Sequence, residues 1–129
     1  MQDMERIMID LPPAEVRCLE AAIHHEAKGE SFAGKLAVGN VVLNRVAAPD
    51  FPKSVCAVVR QKKQFSWYQG NEAKLNAAVS AETRNAARRA LATERNGTLF
   101  FHATYVMPAW SRKLHRQFTI GNHIFYALR

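Results

Sequence analysis

The stretch from Phe32 to Val46, FAGKLAVGNVVLNRV, constrains this chain more than any other. Phe32, Leu36, Leu43 and Val46 sit among Val38, Val41 and Val42, so a helix built on them is apolar on most sides. Such a helix has to be central, with other elements packed around it. The segment before it supplies a first partner. Pro12-Pro13 followed by AEVRCLEAAIHHEA reads as a helix with proline in its first turn, and Val16, Leu19, Ile23 and Glu26 fall at spacings of three, four and three. Gly29 ends that helix, and Ser31 or its neighbours open the central one. One carboxylate, Glu26, therefore shares an apolar stripe.

Downstream, Pro49 and Pro52 break the chain, and Ser54 can cap a short helix, VCAVVRQ. KKQFSWYQGNEAK reads as a polar loop carrying three aromatics. The alanine-rich run from about Leu75 to Arg95 predicts one long helix closed by Asn96-Gly97. TLFF predicts a short strand. QFTI-GN-HIFY predicts a hairpin whose Gly-Asn turn pairs Ile120 with His123 and Phe118 with Phe125, which puts His123 on an apolar face. There is no internal repeat or low-complexity tract. The expected architecture is α+β and mostly helical, with a small antiparallel sheet or hairpin near the C-terminus. A length of 129 residues fits one domain, with 1–12 as an N-terminal arm and 13–129 as the core.

Hydrophobic residues make up 48% and charged residues 22%, as in ordinary globular proteins, and no stretch approaches the roughly eighteen apolar residues of a membrane span. No stable membrane insertion is expected, and the chain reads as a monomer. MQDMERIMIDLPP has neither a basic start nor an apolar core, so it does not read as a secretory signal. The chain is expected to be made in the cytoplasm and to reach any outside target after release or by another export route. Cys18 and Cys56, in an unsignalled chain, are expected to be reduced and buried rather than bridged. The formal charge of +7 favours polyanions. After Glu94 there is no acid, while Arg95, Arg112, Lys113, Arg116 and Arg129 lie in that stretch. Any catalytic carboxylate must come from the first three quarters.

A carboxyl at the end of a helix's apolar face is partly desolvated, which disfavours its anion and lets it stay protonated near neutrality, as the general acid of lysozyme does. The plainer reading of Glu26 is a helix-end residue paired with Lys28 or Arg45. Glu30, four residues on, is a possible second carboxylate, although a charge at the start of the next helix suits its dipole. Asp50 reads as a turn residue, and Glu72 as a more distant candidate for positioning water. His24-His25-Glu26 fails the HExxH pattern, because the position four after His25 is Gly29. His102, His115 and His123 are scattered, so neither a metal nor a cofactor is expected. Phe65, Phe100, Phe101, Phe118 and Phe125 suit core packing, while Trp67, Tyr68 and Trp110 suit partly exposed positions. With Tyr105 and Tyr126, the segment Gln64–Tyr68 offers flat faces and hydrogen-bonding edges of the kind on which sugars lie.

Five segments in order, HHEAKGESFAGKLAVGNVVLNRV, the FP of DFPKSV, QFSW, FFHATYVMPAW and IGNHIFY, resemble the cell wall hydrolase family typified by the catalytic domains of spore cortex-lytic enzymes. The resemblance runs from about Ala21 to Tyr126. It implies a lysozyme- or lytic-transglycosylase-like fold and cleavage of the β-1,4 bond between N-acetylmuramic acid and N-acetylglucosamine. Glu26, the first glutamate of an E-A-x-G-E motif, would be the acid, and Glu30 matches the second. Asn44, Gln64, Phe65, Ser66, Trp110 and His123 would line or support the glycan groove. The implied partner is a peptidoglycan glycan strand, and phage-type lysis is one setting for it. A lysozyme-type muramidase that uses water is the alternative. From other classes, a basic nucleic-acid-binding module and a non-catalytic wall-binding domain compete. Peptidoglycan-binding repeats, present in some relatives, are missing from this chain, which leaves wall attachment to the basic surface.

Overall fold

In the computed structural model, residues 11–61, 64–93 and 96–128 are described. Residues 1–10, most of the expected N-terminal arm, lie outside them. Helix α1 (Pro13–Ala27) starts with proline at its first turn, where a missing N–H costs nothing. Helix α2 (Phe32–Ala47) is capped by Ser31, whose Oγ accepts from the Gly34 N–H at 3.2 Å. Val38, Val41 and Val42 on α2 are fully buried, as its sequence demands. Gly39 lets it approach both neighbours, since a Cβ there would lie 3.1 Å from the side chains of Ala90 and Ile23. Short α3 (Val55–Arg60) is capped by Ser54 and tied to α1 by Glu15, whose Oε1 accepts from the Val55 N–H at 2.6 Å.

Helix α4 (Ala81–Ala92) is shorter than expected. Ser80 accepts from the Thr83 N–H and fixes the start, while Leu75 is buried within a separate 3-10 helix, Glu72–Asn76. The helix stops at Thr93, ahead of Asn96-Gly97; Gly97 has φ +81°, so the left-handed turn lies beyond the helix rather than at its cap.

Strands β1 (Phe100–Ala103), β2 (His115–Ile120) and β3 (His123–Ala127) form an antiparallel sheet in the order β1-β3-β2. The hairpin has the expected register, with Ile120 opposite His123 and Phe118 opposite Phe125. Phe125 on β3 is fully buried in the core shared with the helices. The expectation of reduced cysteines is overturned. Cys18 and Cys56 form a disulfide, with a Cα–Cα distance of 5.2 Å. Helical spacing puts each cysteine on an apolar face but cannot show that those faces oppose each other; the α1–α3 packing brings them together.

Candidate active site

Glu26 sits on the last turn of α1, where the stripe that begins with buried Leu19 and Ile23 meets a cavity of about 580 Å³. The helices supply His25, Glu26 and Arg45, and the loop after α3 supplies Gln64, Phe65, Ser66 and Trp67. The opposite wall comes from β1 with Tyr105, Trp110 and His123. Among these lining residues Glu26 is the only carboxylate.

Burial pushes the Glu26 carboxyl up to about 7. The indole N–H of Trp67 and the charge of Arg45 act against that rise. Trp67 Nε1 completes no hydrogen bond of good geometry among the described residues, so its contact with the carboxyl is loose. The ring is held from behind: His25 stacks on it at 4.3 Å, and His25 Nε2 is itself bonded to the Lys74 carbonyl at 3.0 Å. A carboxylic acid half protonated near neutrality, beside a donor that favours its anion, can give a proton and take one back.

Gln64, Phe65, Ser66, Trp67, Tyr105, Trp110 and His123 all meet at this cavity with Glu26. Tyr105 is 83% exposed at the rim and Trp110 40%. Burial pushes His123 down, and its Nδ1 is buried without a partner among the described residues. Three other expected residues stand outside the lining. Asn44 donates to the Thr98 carbonyl at 2.7 Å and so fixes the chain entering β1. The Tyr126 hydroxyl bonds His102 Nε2 at 2.7 Å; His102 Nδ1 donates to the Ala103 carbonyl, so in the neutral ring Nε2 is the acceptor. Glu30 is held by Asn122.

Other expectations need correcting. Tyr68 is buried, with its hydroxyl bonded to Glu72, and Glu72 in turn takes two bonds from Arg60. That network lies outside the cavity and occupies Glu72. Phe100 and Phe101, expected only as core, line the cavity, because both faces of short β1 are half-covered. Sequence reasoning did not single out His25, His102, Ala103 or Arg45 as groove residues. The one available signal was the density of aromatic and histidine residues in FFHATY. Among the described residues no three His, Cys, Asp or Glu side chains converge as a metal site.

The family described as Cell Wall Hydrolase matches residues 29–126, a match that begins three residues after Glu26 and includes Glu30. The spore cortex-lytic enzymes of Halalkalibacterium halodurans and Bacillus subtilis are each 28% identical over 118 residues, which cover 86% of this chain. The same alignments cover 34% and 37% of those enzymes, so the chain spans little more than a third of their length. Among solved structures, the catalytic domain of the germination-specific lytic transglycosylase SleB from Bacillus anthracis superposes with a TM-score of 0.81 at 22% identity, over 91% of this chain and 97% of that one. The catalytic domain of the Bacillus cereus SleB protein gives 0.79 at 22%, over 89% and 91%. The fold is thus that of the SleB catalytic domains, the lytic-transglycosylase-like fold expected.

Proposed function

This chain belongs to the Cell Wall Hydrolase family, and on that premise we propose that it is a peptidoglycan glycosidase acting as a lytic transglycosylase on the β-1,4 bond from N-acetylmuramic acid to N-acetylglucosamine. The observation that carries the proposal is a single carboxyl, raised to about 7, in a cavity lined by aromatic rings, neutral hydrogen-bonding groups and one buried arginine, Arg45. Glu26 donates its proton to the bridging oxygen, the bond from that oxygen to muramic C1 breaks, and the glucosamine side leaves with a free 4-hydroxyl. The muramic 6-hydroxyl oxygen then bonds C1, and its proton passes to the Glu26 carboxylate. The acid is restored, a 1,6-anhydro end is left, and no water is consumed.

Capture by water in an inverting hydrolase needs a second carboxylate roughly 6.5 to 9.5 Å from the acid. Among the described residues none lines this cavity apart from Glu26. Mass spectrometry of muropeptides from digested sacculi tests the proposal. Anhydro-muramic ends, lighter than reducing ends by one water, are expected. Reducing muramic ends would make the enzyme a muramidase, and cut peptide bonds with intact glycan would overturn both readings.

A further inference from the structure

Arg45 is only 4% exposed, on the face of α2 that forms part of the cavity wall. Its Nε donates to the Leu99 carbonyl at 2.7 Å. The rings of Phe51, Phe65 and Phe100 surround its head group, with centroids 5.2, 5.7 and 5.4 Å from Cζ. Nη1 is sealed from solvent with no hydrogen-bond partner, and no carboxylate is ion-paired with Arg45 among the described residues. A buried cation with no close ion-pair partner among the described residues is expensive, since desolvation costs several kcal/mol even after relaxation. A carbonyl and three rings hold it in the wall of the same cavity that Glu26 lines.

Building on the reading of Glu26 as the acid, we propose that Arg45 is a positioning residue. Fixed in the wall, it acts through Glu26 rather than on the glycan, and it holds the carboxylate left by proton donation ready to take the proton of the muramic 6-hydroxyl. The other titratable groups around the cavity are His25 from α1, His102 from β1, Tyr105 and His123 from β3. None of them carries a permanent positive charge. Burial pushes Arg45 down to about 10, with Glu26 acting against the fall, so the guanidinium stays charged throughout the neutral range.

Three variants of the whole chain, Arg45→Met, Arg45→Lys and Glu26→Gln, test this through two readouts. One is the pH profile of glycan release from sacculi; the other is the titration of Glu26 followed by carbon-13 NMR of its carboxyl. The NMR arm reads the Glu26 carboxyl alone, apart from His25, His102 and His123 of the cavity. In Arg45→Met the Glu26 midpoint and the alkaline limb of activity should both rise by about one pH unit or more, because an opposite charge nearby is worth about that much. The maximal rate should fall about tenfold or more, with KM changed less than twofold. Arg45→Lys should restore the midpoint to within a few tenths of a unit while lowering thermal stability. A purely structural role would lower stability and rate in both variants and leave the midpoint where it is, and that result overturns the proposal. Should Arg45→Met fail to fold, Arg45→Lys decides, since a midpoint displaced by a unit or more despite the retained charge also overturns it. If Glu26→Gln remains active, the reading of the acid has failed instead.

Discussion

Glu30 reaches across 92 positions of sequence to Asn122: one carboxylate oxygen accepts from the Asn122 backbone N–H at 3.0 Å, the other from its side-chain amide at 3.1 Å. This two-point grip fastens the α1–α2 junction to the tip of the β2–β3 hairpin. The turn is shaped for it. Gly121 has φ +54°, and a Cβ there would lie 2.2 Å from Glu30 Oε1.

Breaking that grip should cost stability more than chemistry. Glu30→Gln is expected to lose about 1 kcal/mol, at the low end for bonds to a charged group because the contact is largely exposed. Its lytic rate per folded molecule should fall far less than that of Glu26→Gln. Gly121→Ala should be worse, combining a disfavoured φ with a clash. The backbone bond from Asn122 is the main influence holding the Glu30 carboxyl below its ordinary value of 4.5. The folded state then binds fewer protons than the unfolded one, so the stability this group adds is present above 4.5 and lost as pH falls through the lowered value. Acid melts of wild type and Glu30→Gln should therefore converge. A gap that persists at pH 2 argues against the assignment.

Glu26 carries the opposite sign. Raised to about 7 from 4.5, it keeps its proton in the fold after the unfolded chain has released it. Stability should fall between pH 4.5 and 7, by at most ~3 kcal/mol at 1.36 kcal/mol per unit. Glu26→Gln should thus melt above wild type at pH 8 and match it below pH 4, while losing roughly 10² to 10⁴ in lytic rate. Wild-type activity should decline as pH rises through about 7. A variant retaining more than about a tenth of the rate removes Glu26 from the role of acid.

Much of this site is legible in the residue pattern, and the part that is not has physical causes. Glu26 is visible because a carboxyl on an apolar helix stripe is anomalous. The hairpin register is visible because Gly121-Asn122 permits only a tight turn between alternating apolar strands. Arg45 is visible only as a candidate partner of Glu26; its place in the cavity wall is hidden because nothing in the spacing shows that Phe51, Phe65 and Phe100 cage it. The disulfide is hidden because α1 and α3 have to dock before Cys18 faces Cys56. The start of α4 is misplaced because alanine favours helix throughout Leu75–Arg95, and only the Ser80 cap and the burial of Leu75 decide the boundary.

The bridge between Cys18 and Cys56 spans a sequence separation of 38. Constraining a loop of that size in the unfolded chain is worth ~4 kcal/mol on the chain-entropy model. Reduction, or Cys18→Ser with Cys56→Ser, should lower the melting temperature accordingly and leave the pH profile of the residual folded enzyme unchanged. A reduced protein that melts with the oxidised one would show that helix packing alone holds α3.

Arg112, Lys113 and Arg116 are exposed on the 3-10 turn and β2 beside Trp110, without acids near them in sequence. If the net charge of +7 draws the protein to an anionic wall, lysis of sacculi should weaken as the Debye length shrinks from about 10 Å at 0.1 M salt to about 3 Å at 1 M. Turnover of short soluble glycans should change much less. Lys113→Glu with Arg116→Glu should lower wall affinity and spare the chemistry. Equal lysis at 0.05 and 0.5 M salt would leave binding to the cavity alone.

The central strand of the sheet is also the last to be made. Among the described residues β1 and β2 each pair only with β3, so without β3 neither has a partner, and His123 and Phe125 are missing from the cavity wall and the core. A chain ending at the β2–β3 turn would hold Glu26, Arg45 and Trp67 without His123, the part of the cavity wall that β3 supplies. The cavity around Glu26 is therefore complete only once β3 has paired with β1 and β2.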